Sequence, residues 1–287
     1  MQLRKATRKK AKIRLGFSAV SGGGKTYSAI LVAKGLSGDL SKVAIIDTEN
    51  GSADLYAHLG EYNVLPLAAP YSPERYIEAI RACESSGMEV IIIDSISHEW
   101  DGKGGCLEIV ESLGGKYQDW ARVTPRHQAF IDAILHSPSH IITTVRRKQD
   151  YEMTKDSSGK VKIEKGGLRE ITREGFEYEL TINLELDTKH NATASKDRTG
   201  LFMNKPAFVP SEATGELIAA WCEQGEEAFE VVRPGSEWYQ RVAQCLSQKE
   251  LVELYQKNKA EVDSNPLLQQ LIANRRNQVN GKTLNAA

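Results

Sequence analysis

The stretch Ser18-Ala19-Val20-Ser21-Gly22-Gly23-Gly24-Lys25-Thr26 constrains this chain more than any other, because it sets a glycine turn, an ammonium and a hydroxyl in one short run. Ile13-Arg14-Leu15-Gly16-Phe17 before it alternates as a short strand, and Tyr27 to Gly35 after it has the apolar spacing of a helix. Strand, glycine turn and helix in that order read as a phosphate-binding loop, with Ser21, Gly22, Gly23, Gly24 and Tyr27 around a nucleoside triphosphate. Lys25 reaches the β and γ oxygens, and Thr26 ligates Mg²⁺ at the positive end of the helix. Ala19 stands where the pattern expects its first glycine, which requires a negative φ there. The competing reading is a glycine-rich turn with a chance Lys-Thr.

Val90-Ile91-Ile92-Ile93-Asp94-Ser95 is a continuous β-branched run ending in an acid, as expected of a strand buried on both faces of a parallel sheet. Asp94 at its carboxyl end holds the metal shell in this reading, although many buried strands end in a capping acid. Lys42-Val43-Ala44-Ile45-Ile46-Asp47-Thr48-Glu49 is a second such strand. Because Ser95 rather than a carboxylate follows Asp94, the base that activates water comes from elsewhere, and Glu49 is the candidate. The alternative is that Glu49 caps a helix beginning near Ser52.

Several segments resemble the RecA-like recombinase ATPases, over about residues 10 to 222. Residues 47–60, Asp47-Thr48-Glu49 through Leu59-Gly60, are similar to the segment holding that family's catalytic glutamate and its adenine-stacking tyrosine, which places Glu49 and Tyr56 in those roles. Asp94-Ser95 resembles the metal-binding strand end. His140 to Lys148 is similar to the strand carrying the γ-phosphate sensor, where Thr143 and Thr144 stand in place of the usual glutamine, with Thr144 as the nucleotide contact. Ala194 to Phe202 resembles the segment whose two cations complete the neighbouring subunit's ATP site, so Lys196 and Arg198 take that role by resemblance; a solvated polar turn is the alternative. The resemblance is nearest to small phage-encoded RecA-like ATPases linked to single-strand annealing and recombination. It implies an α/β RecA-like P-loop core with a mainly parallel sheet flanked by helices, ATP and Mg²⁺ as cofactors, and a filament or ring with ATP between subunits. A single-strand-binding or annealing protein is a further expected partner, in the cytoplasm of a bacterial host.

A net charge of −1 on 287 residues excludes a uniformly basic protein, so any nucleic-acid contact is local. Arg4, Lys5, Arg8, Lys9, Lys10, Lys12 and Arg14 crowd the first fourteen positions, before the first acid at Asp39. That arm binds phosphates or is a solvated leader. Between Arg146 and Arg173 nine Lys or Arg stand against five Asp or Glu, with Ser157-Ser158-Gly159 and Gly166-Gly167 interrupting. This reads as a long basic loop for single-stranded DNA, carried by Arg146, Arg147, Lys148, Lys160, Lys162, Lys165 and Arg169, with Tyr151 as a stacking ring. Glu99 to Gly105 is a second, acid-containing candidate for a DNA-facing loop. Cys83, Cys106, Cys222 and Cys245 show neither C-x-x-C spacing nor paired histidines, so no zinc site or disulfide framework is expected, and a reducing compartment is. No run approaches 18 apolar residues, and no membrane partner is expected.

Periodicity predicts helices over Pro73–Ser86, Val123–Ser137 and Thr214–Glu223, a half-buried strand over Gly175–Asp187, and strands near Leu201 and Phe208. The expected organisation is a basic arm at 1–14, an ATPase core at 15–223, a linker at 224–235 and a small helical region at 236–287. The expected function is DNA-dependent ATP hydrolysis in recombination or annealing; a hexameric helicase or helicase loader, and a nucleotide switch with a protein partner, are the alternatives.

Overall fold

Strands in which every residue is apolar have two faces to bury, and the sheet is built around them. The computed structural model describes residues 6–155, 161–225 and 237–284. Among the described residues eight strands form: β1 (Arg14–Ala19), β2 (Val43–Asp47), β3 (Asn63–Pro66), β4 (Val90–Asp94), β5 (His140–Lys155), β6 (Val161–Glu170), β7 (Ile182–Leu186) and β8 (Ala192–Asp197). Their order is β3-β2-β4-β5-β1-β7-β8, with β6 paired to β5. The ladders from β3 across to β7 are parallel, and β8 and β6 run antiparallel to their partners. This is a mainly parallel mixed sheet flanked by helices, consistent with an α/β P-loop NTPase fold.

The alternation within β4 shows how the layers close. Val90 and Ile92 join one core with α1 (Lys25–Ser37), while Ile91 and Ile93 join the other, beneath α2 (Pro73–Ser85) and α5 (Trp120–Leu135). Two short helices, α3 (Ser97–Asp101) and α4 (Cys106–Ser112), lie between β4 and α5 in the chain. After α6 (Phe176–Glu179), α7 (Glu212–Cys222) packs on α1, where Gly35 and Gly215 allow close approach: a Cβ on Gly35 would stand 1.9 Å from the Glu212 carbonyl oxygen.

Two compact units divide the chain, residues 10–224 and residues 1–9 with 225–287. The second contains α8 (Glu237–Gln244), α9 (Gln248–Lys257), α10 (Lys259–Ser264) and α11 (Pro266–Leu284). Trp238, Val242, Leu251, Val262 and Leu268 form its own small core, and Ser247 and Glu250 close a capping box on α9.

Four expectations need correction. The basic segment after the sensor strand is a two-stranded antiparallel ribbon, not a loop: β5 runs on to Lys155 and pairs with β6, with Met153 opposite Ile163. The stretch from Gly175 to Asp187 is not one strand; Gly175 adopts a φ of 92° and opens the α6 turn, and β7 begins only at Ile182. No strand forms at Leu201, because the Asp197 carboxylate gathers the N–H groups of Thr199, Phe202 and Met203 into a turn; Phe208 makes a single bridge to Ala192. Arg14 is no part of a free arm. It is buried in β1, and its guanidinium donates to the carbonyls of Leu135, Ser137 and Ser139, tying down the turn into β5. Lys10 is paired with Glu223 at 2.8 Å, and Arg4 and Lys5 lie outside the described residues, as does most of the expected linker.

Candidate functional site

The carboxyl ends of β1, β2, β4 and β5 meet where the strand order reverses around β1, the place at which open α/β sheets bind ligands. Gly22 and Gly24 adopt φ of 78° and 85°, so the turn between β1 and α1 depends on the absence of side chains there. Ala19 keeps a negative φ, as its side chain requires. Its methyl would stand 2.7 Å from a Cβ on Gly23, so alanine at one position forces glycine at the other.

Lys25 is buried and donates to the carbonyls of Ala19 at 3.3 Å and Val20 at 3.1 Å. Burial lowers its pKa, against the opposing charges of Asp94 and Glu49. Thr26 donates to one oxygen of Asp94 at 2.6 Å and Thr144 to the other at 2.5 Å. Burial pushes the Asp94 carboxyl up, and these two hydroxyls oppose that. A buried carboxylate beside the loop's threonine, with an ammonium nearby, is a donor set that fits Mg²⁺ carried by a nucleotide.

Asp47 shapes the loop that carries Glu49. Its carboxylate accepts the N–H of Glu49 at 2.6 Å and that of Ala53 at 3.3 Å, so the capping role falls to Asp47 and leaves Glu49 available. Glu49 accepts a hydrogen bond from Ser95 Oγ at 3.0 Å and is ion-paired with Arg146. Burial raises its pKa, but Arg146 and Ser95 outweigh that, and the group ends below the ordinary carboxylate value. Thr48, next to it, accepts the Ser95 N–H at 2.9 Å and meets His98 Nδ1 at 2.8 Å, while the His98 ring stacks on Tyr71. The β2 and β4 ends are thus one hydrogen-bonded unit.

A cavity of about 640 Å³ opens beside the loop, lined by Gly22, Gly24, Lys25, Thr26, Tyr27 and Tyr56 together with His190 and Pro210. Tyr27 and Tyr56 meet edge to face at 5.7 Å, and half-exposed rings on a cavity wall can stack against a planar base. Ser21 is exposed on the loop rim. His190 and Pro210 were not foreseen. His190 rides the turn between β7 and β8 at a φ of 66°, and a Cβ on Gly24 would stand 2.7 Å from its Nδ1. The Asp187 side chain, which takes the N–H groups of Lys189 and Asn191, fixes that turn, and the Asp-Thr-Lys-His-Asn run between apolar alternations is the signal that could have found it.

The other site candidates lie apart. Thr144 is fully buried against Asp94, and Thr143 donates to the Leu15 carbonyl at 3.4 Å, so neither lines the cavity. Lys196 and Arg198, on and just past β8, both donate to the carbonyl of Tyr178, away from the cavity of their own chain. Arg146 is held by Glu49, and Arg147 by Glu185 at 2.6 Å, so both guanidinia are engaged at the base of the ribbon. Lys148 and Arg169 are exposed and stand opposite each other in the β5–β6 register. Lys162 and Lys165 fall on β6, and Lys160 lies outside the described residues. In the Glu99–Gly105 segment Glu99 is buried and Trp100 stacks on Trp120 at 5.4 Å, while Asp101 and Lys103 are exposed.

Residues 11–210 match the family described as an AAA domain. No curated protein matches the chain. Among the described residues no helix is long and apolar enough to cross a membrane.

Proposed function

The chain belongs to the AAA domain family of P-loop ATPases, and we propose that it hydrolyses ATP under the control of single-stranded DNA, as a RecA-like recombination or annealing ATPase of phage or mobile-element type. The observation that carries the ATPase reading is the convergence of Lys25, Thr26, Asp94 and Glu49 on one glycine turn. Lys25 and the loop N–H groups bind the phosphates, and Tyr56 packs against the base. Thr26 holds Mg²⁺ with Asp94 behind it; the ion supplies charge neutralisation on the phosphate oxygens. Glu49, ionised and oriented by Ser95, accepts the proton of the attacking water once Arg146 lets go.

Support for DNA comes from the ribbon. Lys148 and Arg169 face each other across the ladder, where like charges oppose pairing and an anion between them relieves the repulsion. Assembly is supported by Lys196 and Arg198, which stand off their own cavity and so serve a phosphoryl group only across a subunit boundary. ATP turnover measured with and without single-stranded DNA across a salt series tests the reading. Stimulation that fades steeply with salt is expected; turnover indifferent to DNA at every salt concentration contradicts it and favours the nucleotide-switch alternative.

A further inference from the structure

We propose that Glu99, Cys106 and His127 form a binding site for a divalent transition-metal ion of the zinc class, separate from the nucleotide site. The three residues come from three helices, α3, α4 and α5, and are 1%, 0% and 4% exposed. Cys106 Sγ lies 3.1 Å from Glu99 Oε1, and His127 Nδ1 lies 3.0 Å and 3.1 Å from the two carboxylate oxygens. One sulfur, one nitrogen and one oxygen ligand atom all fall within 4.8 Å of one another. Ligands held at roughly 2.0–2.3 Å around a tetrahedral ion stand roughly 3.3–3.7 Å apart, so the two contacts to Glu99 need open by only a few tenths of an ångström to reach that spacing.

The chemistry of the set favours this class of ion. A thiolate and an imidazole select against Mg²⁺ and Ca²⁺, and three protein ligands leave one tetrahedral position for water. One thiolate, one carboxylate and a neutral imidazole balance a dication, so the buried cluster is neutral when loaded. On binding, the Cys106 S–H proton leaves to solvent and the sulfur pair goes to the metal; no oxidant or reductant is involved.

The surroundings fit a structural ion. The core that joins these helices has only Cys106, Val110 and Val123 fully inside, with Trp100, Ile109 and Trp120 packed around it. The Trp100 ring meets His127 at 5.5 Å and covers the cluster on that side. α3 follows the Asp94 strand end directly, and its His98 touches Thr48, so an ion on Glu99 fixes the platform beneath the nucleotide site. Separations of 7 and 21 residues match no spacing pattern, which explains why the sequence pointed to no zinc site.

The test is titration of the full-length, chelator-treated protein with Co²⁺ and with Zn²⁺ alone. One ion per chain is expected, with a near-ultraviolet thiolate-to-Co²⁺ band and tetrahedral visible bands, and a melting temperature that rises with Zn²⁺. Cys106→Ser and His127→Gln should each abolish the band. Thr26→Ala should keep it, which separates this site from the P-loop. A chain with Cys83, Cys222 and Cys245 all changed to Ser should also keep it, and this variant decides the matter if Cys106→Ser fails to fold. No thiolate band in the unaltered chain, or a band that persists in folded Cys106→Ser, overturns the proposal and leaves the trio a hydrogen-bonded cluster.

Discussion

At the carboxyl ends of β2 and β4 every acid has an assigned neighbour, whereas on the β5–β6 ribbon like charges are set against one another. Asp47 holds backbone, Asp94 holds two threonines, and Glu49 is held by Ser95 and Arg146. Lys148 and Arg169 instead oppose each other at exposed positions. The first arrangement is preorganised, with geometry set before any ligand arrives. The second leaves two exposed cations opposed, a repulsion that an anion between them would relieve. Arg146 joins them, since it sits where β5 leaves the sheet for the ribbon yet spends its charge on Glu49.

The comparison can be broken most sharply at the preorganised end. Lys25→Ala removes the buried ammonium, and phosphate-release assays should show turnover falling on the order of 10²-fold or more. Retained turnover would mean the loop does not hold the triphosphate. Arg146→Ala sharpens the junction: without the guanidinium the Glu49 pKa of the free enzyme rises, so the acid limb of the kcat/KM profile should move to higher pH. An unmoved limb would place the base elsewhere. At the ribbon, Lys148→Ala or Arg169→Ala should lower the salt slope of DNA binding by about one each while leaving DNA-free turnover alone.

A separate effect, on stability rather than turnover, concerns β5, the strand both regions share. His140, at its first residue, accepts the Ile13 N–H at 3.0 Å, and burial first, then Lys12 and Arg14, lower its pKa to about 3. The unfolded chain, with an ordinary value of about 6.5, takes up a proton that the folded chain refuses. Stability therefore falls as pH drops from the unfolded value toward the folded one. Urea unfolding at a series of pH values should show this slope, and His140→Gln should flatten it.

What was legible in the sequence is what lies contiguous in it. The glycine turn, Asp94 and the buried strands are local patterns, and they fold as local patterns require. Arg146 on Glu49, His190 on Gly24 and Pro210 in one cavity with Tyr56 arise where distant segments meet, and no spacing rule encodes them. The ribbon was open to prediction, since alternation on both sides of Asp156-Ser157-Ser158-Gly159 is a hairpin signal; the density of charge masked it. Arg14 misled for a related reason. A cation in a basic run looks solvated, yet this one alternates into β1 and reaches the carbonyls of Leu135, Ser137 and Ser139 at the turn from α5 into β5.

The most direct test of the central claim is single-turnover ATP cleavage by Glu49→Gln beside the unaltered chain, with nucleotide affinity measured on both. An amide keeps the shape, and its carbonyl oxygen still accepts from Ser95, but it does not take a proton from water. Affinity should hold and the cleavage rate should fall by about 10²- to 10⁴-fold. Cleavage at the unaltered rate would contradict the account.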